Sequence, residues 1–99
     1  MVDLVFSNQA RRDLLEIWEW IAQEDETLAE KVMAELEASC LRLTRFPELG
    51  RPRPDLWEGS RSILVKRWIV VYRREGPDIL IQRVVSPSRD LQKLRWDLP

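Results

Sequence analysis

The stretch that decides the fold is residues 61–86, which read RSILVKRWIVVYRREGPDILIQRVVS. Its β-branched and aromatic residues predict three strands, at residues 62–66, 68–74 and 78–86. The sequence Glu75-Gly76-Pro77-Asp78 predicts a turn between the last two strands. Together these signals predict a small, mainly antiparallel β-sheet.

Both faces of this predicted sheet carry apolar residues. Successive side chains of a strand point to opposite faces, so Trp68, Val70 and Tyr72 share one face of the middle strand. Ile69 and Val71 share the other face. One face must cover helices, while the other either meets a partner or forms a second, shallower apolar cluster.

Arginines recur at intervals along this half of the chain. They are Arg61, Arg67, Arg73, Arg83 and Arg89. A guanidinium group presents a planar fork of donors that matches carboxylates and other anions. The pattern therefore predicts a surface that recognises anions or a protein partner. Ion pairing with the acidic helices described next is the alternative interpretation.

The first half of the chain carries the opposite charge. Residues 13–37 contain nine Asp and Glu residues, namely Asp13, Glu16, Glu19, Glu24, Asp25, Glu26, Glu30, Glu35 and Glu37, against Lys31. From residue 42 to residue 74 the balance reverses in favour of Lys and Arg. The formal net charge of −1 therefore conceals an acidic part and a basic part.

Upstream of the sheet, the apolar pattern predicts a short strand followed by two helices. Apolar residues alternate over residues 2–6, and Ser7 is placed to cap a helix over residues 8–23. Thr27-Leu28-Ala29-Glu30 has the form of a capping box, which predicts that a second helix begins there. Proline cannot continue a helix, so this helix should end just before Pro47. The short connection predicts an antiparallel helical hairpin.

Length and composition limit the classes of protein to consider. A chain of 99 residues is long enough for one modest core, so we expect a single domain over residues 1–99. No run of about 18 apolar residues predicts a membrane span, and the first residues do not resemble a signal peptide. We therefore expect a cytoplasmic protein.

The sequence contains no histidine. This removes the commonest metal ligand and the usual general base near neutral pH, so we expect no metal, no cofactor and no histidine-based catalysis. The one cysteine, Cys40, lies at helical spacing from Leu36 and Leu43. This spacing predicts a thiol in the core rather than a nucleophile.

Five tryptophans are a large aromatic load for one small core. Tryptophan is common both in cores and at binding hot spots, so Trp18, Trp57 and Trp68 are candidates for either place. The apolar face of the first helix is too wide for one neighbour. It packs against both a sheet and a second helix, or leaves Trp18 or Trp20 open to a partner.

A specific set of short motifs follows in order along the chain. They are Ala10, Asp13-Leu14, Ile17-Trp18, Ile21-Ala22, Phe46-Pro47, Gly50-Arg51, Gly59-Ser60-Arg61, Trp68-Ile69-Val70-Val71-Tyr72-Arg73, Arg83-Val84-Val85 and Ser88-Arg89-Asp90-Leu91. Their order and spacing resemble the RelE/ParE toxin superfamily of bacterial toxin–antitoxin modules, and its ParE branch more closely. The resemblance implies an α+β fold, in which an N-terminal strand and an antiparallel helical hairpin pack on a small, mainly antiparallel sheet.

The resemblance also implies a function. It implies a toxin of a type II module that is neutralised by tight binding of a cognate ParD-like antitoxin. The ParE branch implies poisoning of DNA gyrase, whereas the RelE branch implies ribosome-dependent cleavage of mRNA. A non-toxic relic that only binds antitoxin is a third interpretation.

The residues favour the ParE alternative. RNA cleavage without a metal needs a base, a cation beside the phosphate and an acid. Arg61, Arg73 or Arg83 would supply the cation and Tyr72 a weak acid, but Ser86-Pro87 stands where relatives often carry histidine. A net charge of −1 also does not suit binding to ribosomal RNA. We therefore expect action by binding rather than catalysis.

The candidate residues for binding antitoxin or target follow from these patterns. They are Arg61, Trp68, Tyr72, Arg73, Arg83, Arg89, Trp18 and Trp57. The arginines would contact acidic groups, and the aromatic rings would contact apolar side chains of the partner.

Overall fold

The computed structural model describes residues 2–87 and residue 91. The elements in chain order are β1 (Leu4–Phe6), α1 (Asn8–Ala22), α2 (Glu26–Arg45), β2 (Arg51–Pro52), β3 (Arg61–Val65), β4 (Trp68–Glu75) and β5 (Asp78–Val85). The predicted α+β class, the helical hairpin and the three long strands are confirmed. No helix in this described part of the chain is long and apolar enough to cross a membrane.

The five strands form one sheet in the order β1-β5-β4-β3-β2. Strand β1 runs parallel to β5, with Leu4 opposite Ile79, while the other three pairs are antiparallel. Strand β2 was not predicted from the sequence. It consists of two residues, one of them Pro52, and only its pairing with Arg61 and Ser62 identifies it as a strand.

The two helices begin at acceptor side chains. Ser7 caps α1 as predicted, because its Oγ accepts a hydrogen bond from the backbone N–H of Ala10 at 3.0 Å. The predicted start of α2 at Thr27 is wrong. Asp25 is the N-cap, and its Oδ1 accepts from the N–H of Leu28 at 3.0 Å. Aspartate is at least as good an N-cap as threonine, and it lies two residues earlier.

The main core lies between the helical hairpin and one face of the sheet. Trp68, Val70 and Tyr72 face this core, as their alternation predicted. The helices contribute Ala10, Ile17, Ile21, Ala29, Val32, Leu36, Cys40 and Leu43. Leu56, Val71 and Val85 are also buried but lie outside this cluster. Their burial agrees with the expectation that the second face of the sheet is not simply open to solvent.

A β-bulge interrupts the pairing of β4 with β5. Val71 lies opposite Arg83 and Tyr72 lies opposite Ile81, which leaves Gln82 as the extra residue. The Oε1 atom of Gln82 accepts a hydrogen bond from the buried Ser60 hydroxyl at 2.6 Å. A bulge changes the direction of the side chains beside it, and this one lies directly before Arg83.

Cys40 lies in the core, as predicted, with 1% of its surface exposed. Burial, with a smaller contribution from the negative charge of Glu37, raises the pKa of the thiol to about 12. The thiolate is the reactive form, so this thiol should be inert in the folded protein near neutral pH.

We expect Cys40 to react with Ellman's reagent at pH 8 roughly 10³-fold more slowly in the folded protein than in urea, because both thiolate fraction and access are reduced. Since folding raises this pKa, the native state holds its proton more tightly than the unfolded state. The contribution of this thiol to stability should be constant below about pH 8.5 and should be lost as the pH rises toward 12. Equal labelling rates with and without urea would contradict the predicted protection of Cys40.

Candidate partner-binding surfaces

Arg83 does not lie on the surface of the sheet. Its Nε and Nη2 atoms donate to the two carboxylate oxygens of Asp13 at 2.8 and 2.9 Å. The backbone N–H of Val84 donates to the same carboxylate at 2.9 Å. Both charged residues are buried, so this ion pair fastens α1 to the bulged part of β5. The alternative interpretation, that a sheet arginine pairs with an acidic helix, therefore holds for Arg83.

Tyr72 and Arg61 hold the loop that follows α2. The Tyr72 hydroxyl donates to the carbonyl of Pro47 at 2.8 Å and accepts from the N–H of Gly50 at 2.8 Å. The Nη1 atom of Arg61 donates to the carbonyl of Gly50 at 2.7 Å. Tyr72 is fully buried, and desolvation raises the pKa of its hydroxyl despite opposing effects of Gly50 and Arg61. Both side chains therefore contribute to structure at this loop.

Arg73 lies at the border between core and solvent. Its Nη2 atom forms an ion pair with Glu75 at 3.3 Å, and 18% of its side chain is exposed. Its Nε atom is buried and has no hydrogen-bond partner among the residues that the structure describes. Arg89 lies outside those residues. Of the four predicted binding arginines, only Arg61 and Arg73 are therefore at least partly accessible in the described structure.

The tryptophans divide between core and surface. Trp68 is buried in the core, and Trp18 and Trp57 are half-buried. Trp20, by contrast, is 59% exposed. The wide apolar face of α1 does leave one tryptophan open, and that residue is Trp20 rather than Trp18.

Two grooves meet at Trp20. One, of about 390 Å³, lies between α1 and the sheet and is lined by Asp13, Glu16, Ile17, Trp20, Arg67, Trp68, Val84, Val85 and Ser86. The other, of about 840 Å³, is lined by Trp20, Ile21, Gln23, Glu24, Asp25, Leu28, Val32, Lys66, Arg67 and Trp68. We call these two grooves together the Trp20 groove.

Arg67 lines both parts of the Trp20 groove and lies close to the rings of Trp20 and Trp68. Its Cζ atom lies 5.1 Å from the centre of the Trp20 ring and 5.8 Å from that of Trp68. These distances are in the range of cation–π contacts. Lys66 precedes it with a positive φ of 57° and forms an ion pair with Glu35 at 3.2 Å. The groove therefore combines exposed aromatic surface with charged groups of both signs.

Sequence reasoning did not identify Leu28 or Arg67 as binding candidates. Leu28 directly precedes the buried Ala29, and its 47% exposure depends on how the two helices cross. Arg67 is one of the arginines that recur along the sheet, and nothing in the sequence distinguishes it from the others. Within the described residues, no group of His, Cys, Asp and Glu side chains could hold a metal ion.

Comparison with known proteins identifies the family. A family model described as the ParE toxin of the type II toxin–antitoxin system parDE matches residues 4–91. Toxin ParE3 from Caulobacter vibrioides is 43% identical over 56 residues, which are 57% of this chain and 56% of that protein. The aligned part thus spans little more than half the length of this curated relative.

A solved structure has the same fold. It is described as the chromosomal ParDE TA system from P. aeruginosa, and it matches with a TM-score of 0.73 and 21% identity. The match covers 87% of this chain and 96% of that one. Fold and surface together define a small α+β protein in which a helical hairpin packs on an open sheet. The chain belongs to the ParE toxin family of type II toxin–antitoxin systems.

Proposed function

We propose that this ParE-family toxin inhibits DNA gyrase by binding to it and is neutralised by a cognate ParD-like antitoxin. Family membership supports a toxin of this class. The structural neighbour is described as a ParDE system, which supports an antitoxin as a partner. The observation that carries the partner-binding part of the proposal is the Trp20 groove, an open aromatic surface of the kind that binds protein segments.

The side chains that an RNA-cleaving enzyme would need have other contacts. Tyr72 is buried with its hydroxyl bonded on both sides, and Arg83 is buried against Asp13. A general acid must reach the leaving group, and a catalytic cation must reach the phosphate. These contacts support action by binding and make ribosome-dependent cleavage the weaker alternative.

The Trp20 groove fits an amphipathic helix of the antitoxin. Such a helix places apolar residues along one face, and these would cover Trp20, Leu28 and the edge of Trp68. Basic residues beside that apolar face would meet Glu16 and Glu24 on the rim. An extended segment of the same antitoxin would continue toward Arg61 and Arg73 on the sheet.

Purified DNA gyrase, ATP and plasmid provide the direct test. We expect the protein to reduce supercoiling and to increase the amount of cleaved DNA held by gyrase, with both effects abolished by the antitoxin. No effect on gyrase together with cleavage of mRNA on translating ribosomes would replace the proposal with the RelE-type activity. Antitoxin binding without growth arrest would identify a non-toxic relic.

Arginine variants test the predicted site residues, and Arg12→Ala is their matched control. Arg61→Ala and Arg73→Ala should weaken antitoxin binding or toxicity, since Arg61 orders the loop after α2 and Arg73 is a partly exposed arginine of the sheet. Arg12→Ala removes the same charge from an exposed position on α1 and should change neither. Equal, negligible effects of all three would reject the two sheet arginines as site residues.

A further inference from the structure

The loop after α2 exposes two large apolar side chains. Phe46 is 55% exposed and Leu49 is 49% exposed. They line a groove of about 550 Å³ together with Arg45, Pro47, Glu48 and Arg74. We call this surface the Phe46 patch.

The loop that carries the Phe46 patch is held rigidly. The buried Tyr72 hydroxyl contacts the loop at Pro47 and at Gly50, and Arg61 donates to the carbonyl of Gly50. The N–H of Leu49 donates to the carbonyl of Phe46 at 3.0 Å. A surface that is already ordered loses little conformational entropy when a partner binds. Exposed apolar side chains on such a loop are therefore suited to docking.

The charges around the patch indicate the chemistry of its partner. The Cζ atom of Arg45 lies 6.0 Å from the centre of the Phe46 ring, and Arg74 lines the same groove. Neither arginine, nor Arg42 one turn before Phe46, forms an ion pair with any residue in the described part of the chain. The two lining arginines outnumber the one lining carboxylate, that of Glu48, so the patch complements a segment in which apolar residues are flanked by Asp or Glu.

The Phe46 patch is far from the Trp20 groove. Leu28 lines that groove near the start of α2, and Phe46 caps the other end of the helix. Phe46 lies eighteen residue steps after Leu28, which corresponds to about 27 Å at 1.5 Å per residue. Each end of α2 therefore offers an apolar surface large enough for its own partner segment.

We propose that the Phe46 patch binds an acidic, apolar segment of the toxin's target protein, whereas the Trp20 groove binds antitoxin. This inference rests on the proposed function in one respect, that the protein acts by binding a target. An inhibitor of this kind needs a surface for its target, and the Phe46 patch is an exposed apolar surface outside the Trp20 groove. The patch supplies it with ordered apolar anchors and unpaired positive charge.

The test compares three sets of variants for growth arrest, gyrase inhibition and antitoxin affinity. Phe46→Ala combined with Leu49→Ala should raise the concentration needed to inhibit gyrase roughly tenfold or more, because exposed anchors of this type carry much of a binding energy. Antitoxin affinity should stay within about threefold of wild type. Arg45→Glu should also weaken inhibition, because it opposes the acidic partner.

Two exposed positions outside both surfaces are the matched controls. Leu64→Ala removes an apolar side chain that is 67% exposed on β3, and Arg12→Glu makes the same charge change as Arg45→Glu. Both should retain growth arrest and antitoxin affinity. Circular dichroism and thermal unfolding would confirm that every variant is folded.

Several outcomes would overturn the inference. Loss of antitoxin affinity with growth arrest retained would assign the Phe46 patch to antitoxin. Plasmid binding by the protein alone that is lost in Arg45→Glu would assign it to nucleic acid. Unchanged growth arrest in all patch variants would remove it as a site. If wild type arrests growth without affecting gyrase, the proposed target is wrong, but loss of arrest in the patch variants would still support the docking surface.

Discussion

Replacing Asp13 with alanine is expected to lower the free energy of unfolding by about 3–5 kcal/mol, as is typical when one partner of a buried ion pair is removed. The carboxylate accepts two hydrogen bonds from Arg83 and one from the N–H of Val84. Without it, the buried guanidinium loses the carboxylate that accepts two of its hydrogen bonds. A domain of this size has a total stability of about 5–15 kcal/mol, so the loss is a large part of the whole.

Chemical denaturation of single and double variants would measure this effect. Glu16→Ala, one turn further along the same helix at an exposed position, is the control and should change stability by less than about 0.5 kcal/mol. Asp13→Leu combined with Arg83→Met should be much more stable than Asp13→Ala, because an apolar pair often replaces a buried ion pair at little cost. If Asp13→Ala resembled Glu16→Ala, the pair would have no structural importance.

The ion pair also affects how toxicity data for Arg83 should be interpreted. Arg83→Ala would leave the buried Asp13 carboxylate with the N–H of Val84 but without its cation, and toxicity would fall because less protein is folded. The Asp13→Leu/Arg83→Met variant separates the two explanations, since it lacks the guanidinium but should be folded. Full toxicity in that variant would show that Arg83 acts through the fold.

Local sequence patterns were sufficient to predict most of the fold. Alternating residues in β4 and the turn at Glu75–Asp78 fix the hairpin formed by β4 and β5, because both signals come from adjacent residues. Ser7 could be assigned as a cap because an N-cap acts only on the first turn of its own helix. The start of α2 was misplaced since Asp25 and Thr27 are both good caps, and the sequence does not rank them.

Features that depend on distant residues were not predictable. The bulge at Gln82 and the two-residue strand β2 exist only through pairing with other strands, so no local pattern marks them. The contacts that the arginines form were also not predictable from local patterns. Arg83 and Asp13 are 70 positions apart, and no local pattern shows that these two side chains meet.

The candidate site was predicted less completely than the fold. The sequence predicted that the apolar face of α1 either packs against both neighbours or leaves Trp18 or Trp20 exposed. Which tryptophan is exposed depends on how α1 crosses the sheet, and the structure shows that it is Trp20. The sequence made Tyr72 a candidate for contacting the antitoxin or target and for acting as a weak acid. Its hydroxyl instead bonds to a loop more than twenty residues earlier, which only the folded chain reveals.

Replacing Gly50 with alanine is expected to destabilise the protein by about 3 kcal/mol, at the upper end of the usual cost of overpacking. A Cβ atom at this position would lie 2.7 Å from both Cε1 and the hydroxyl oxygen of Tyr72, and 2.8 Å from the carbonyl oxygen of Ser62. The carbonyl belongs to the backbone of β3, and Tyr72 is fully buried, so neither group can move easily. Urea denaturation of the variant measures the loss.

Gly59→Ala is the informative comparison, because Gly59 has a positive φ of 81° but nothing within 4 Å of an added Cβ atom. Its expected cost is about 1 kcal/mol, from backbone conformation alone. An equal cost at Gly50 would contradict the steric explanation.

Gly50→Ala should also reduce toxicity in the fraction that remains folded, because displacing Tyr72 releases the loop that orders Phe46 and Leu49. Normal toxicity per folded molecule would show that the order of this loop is not required.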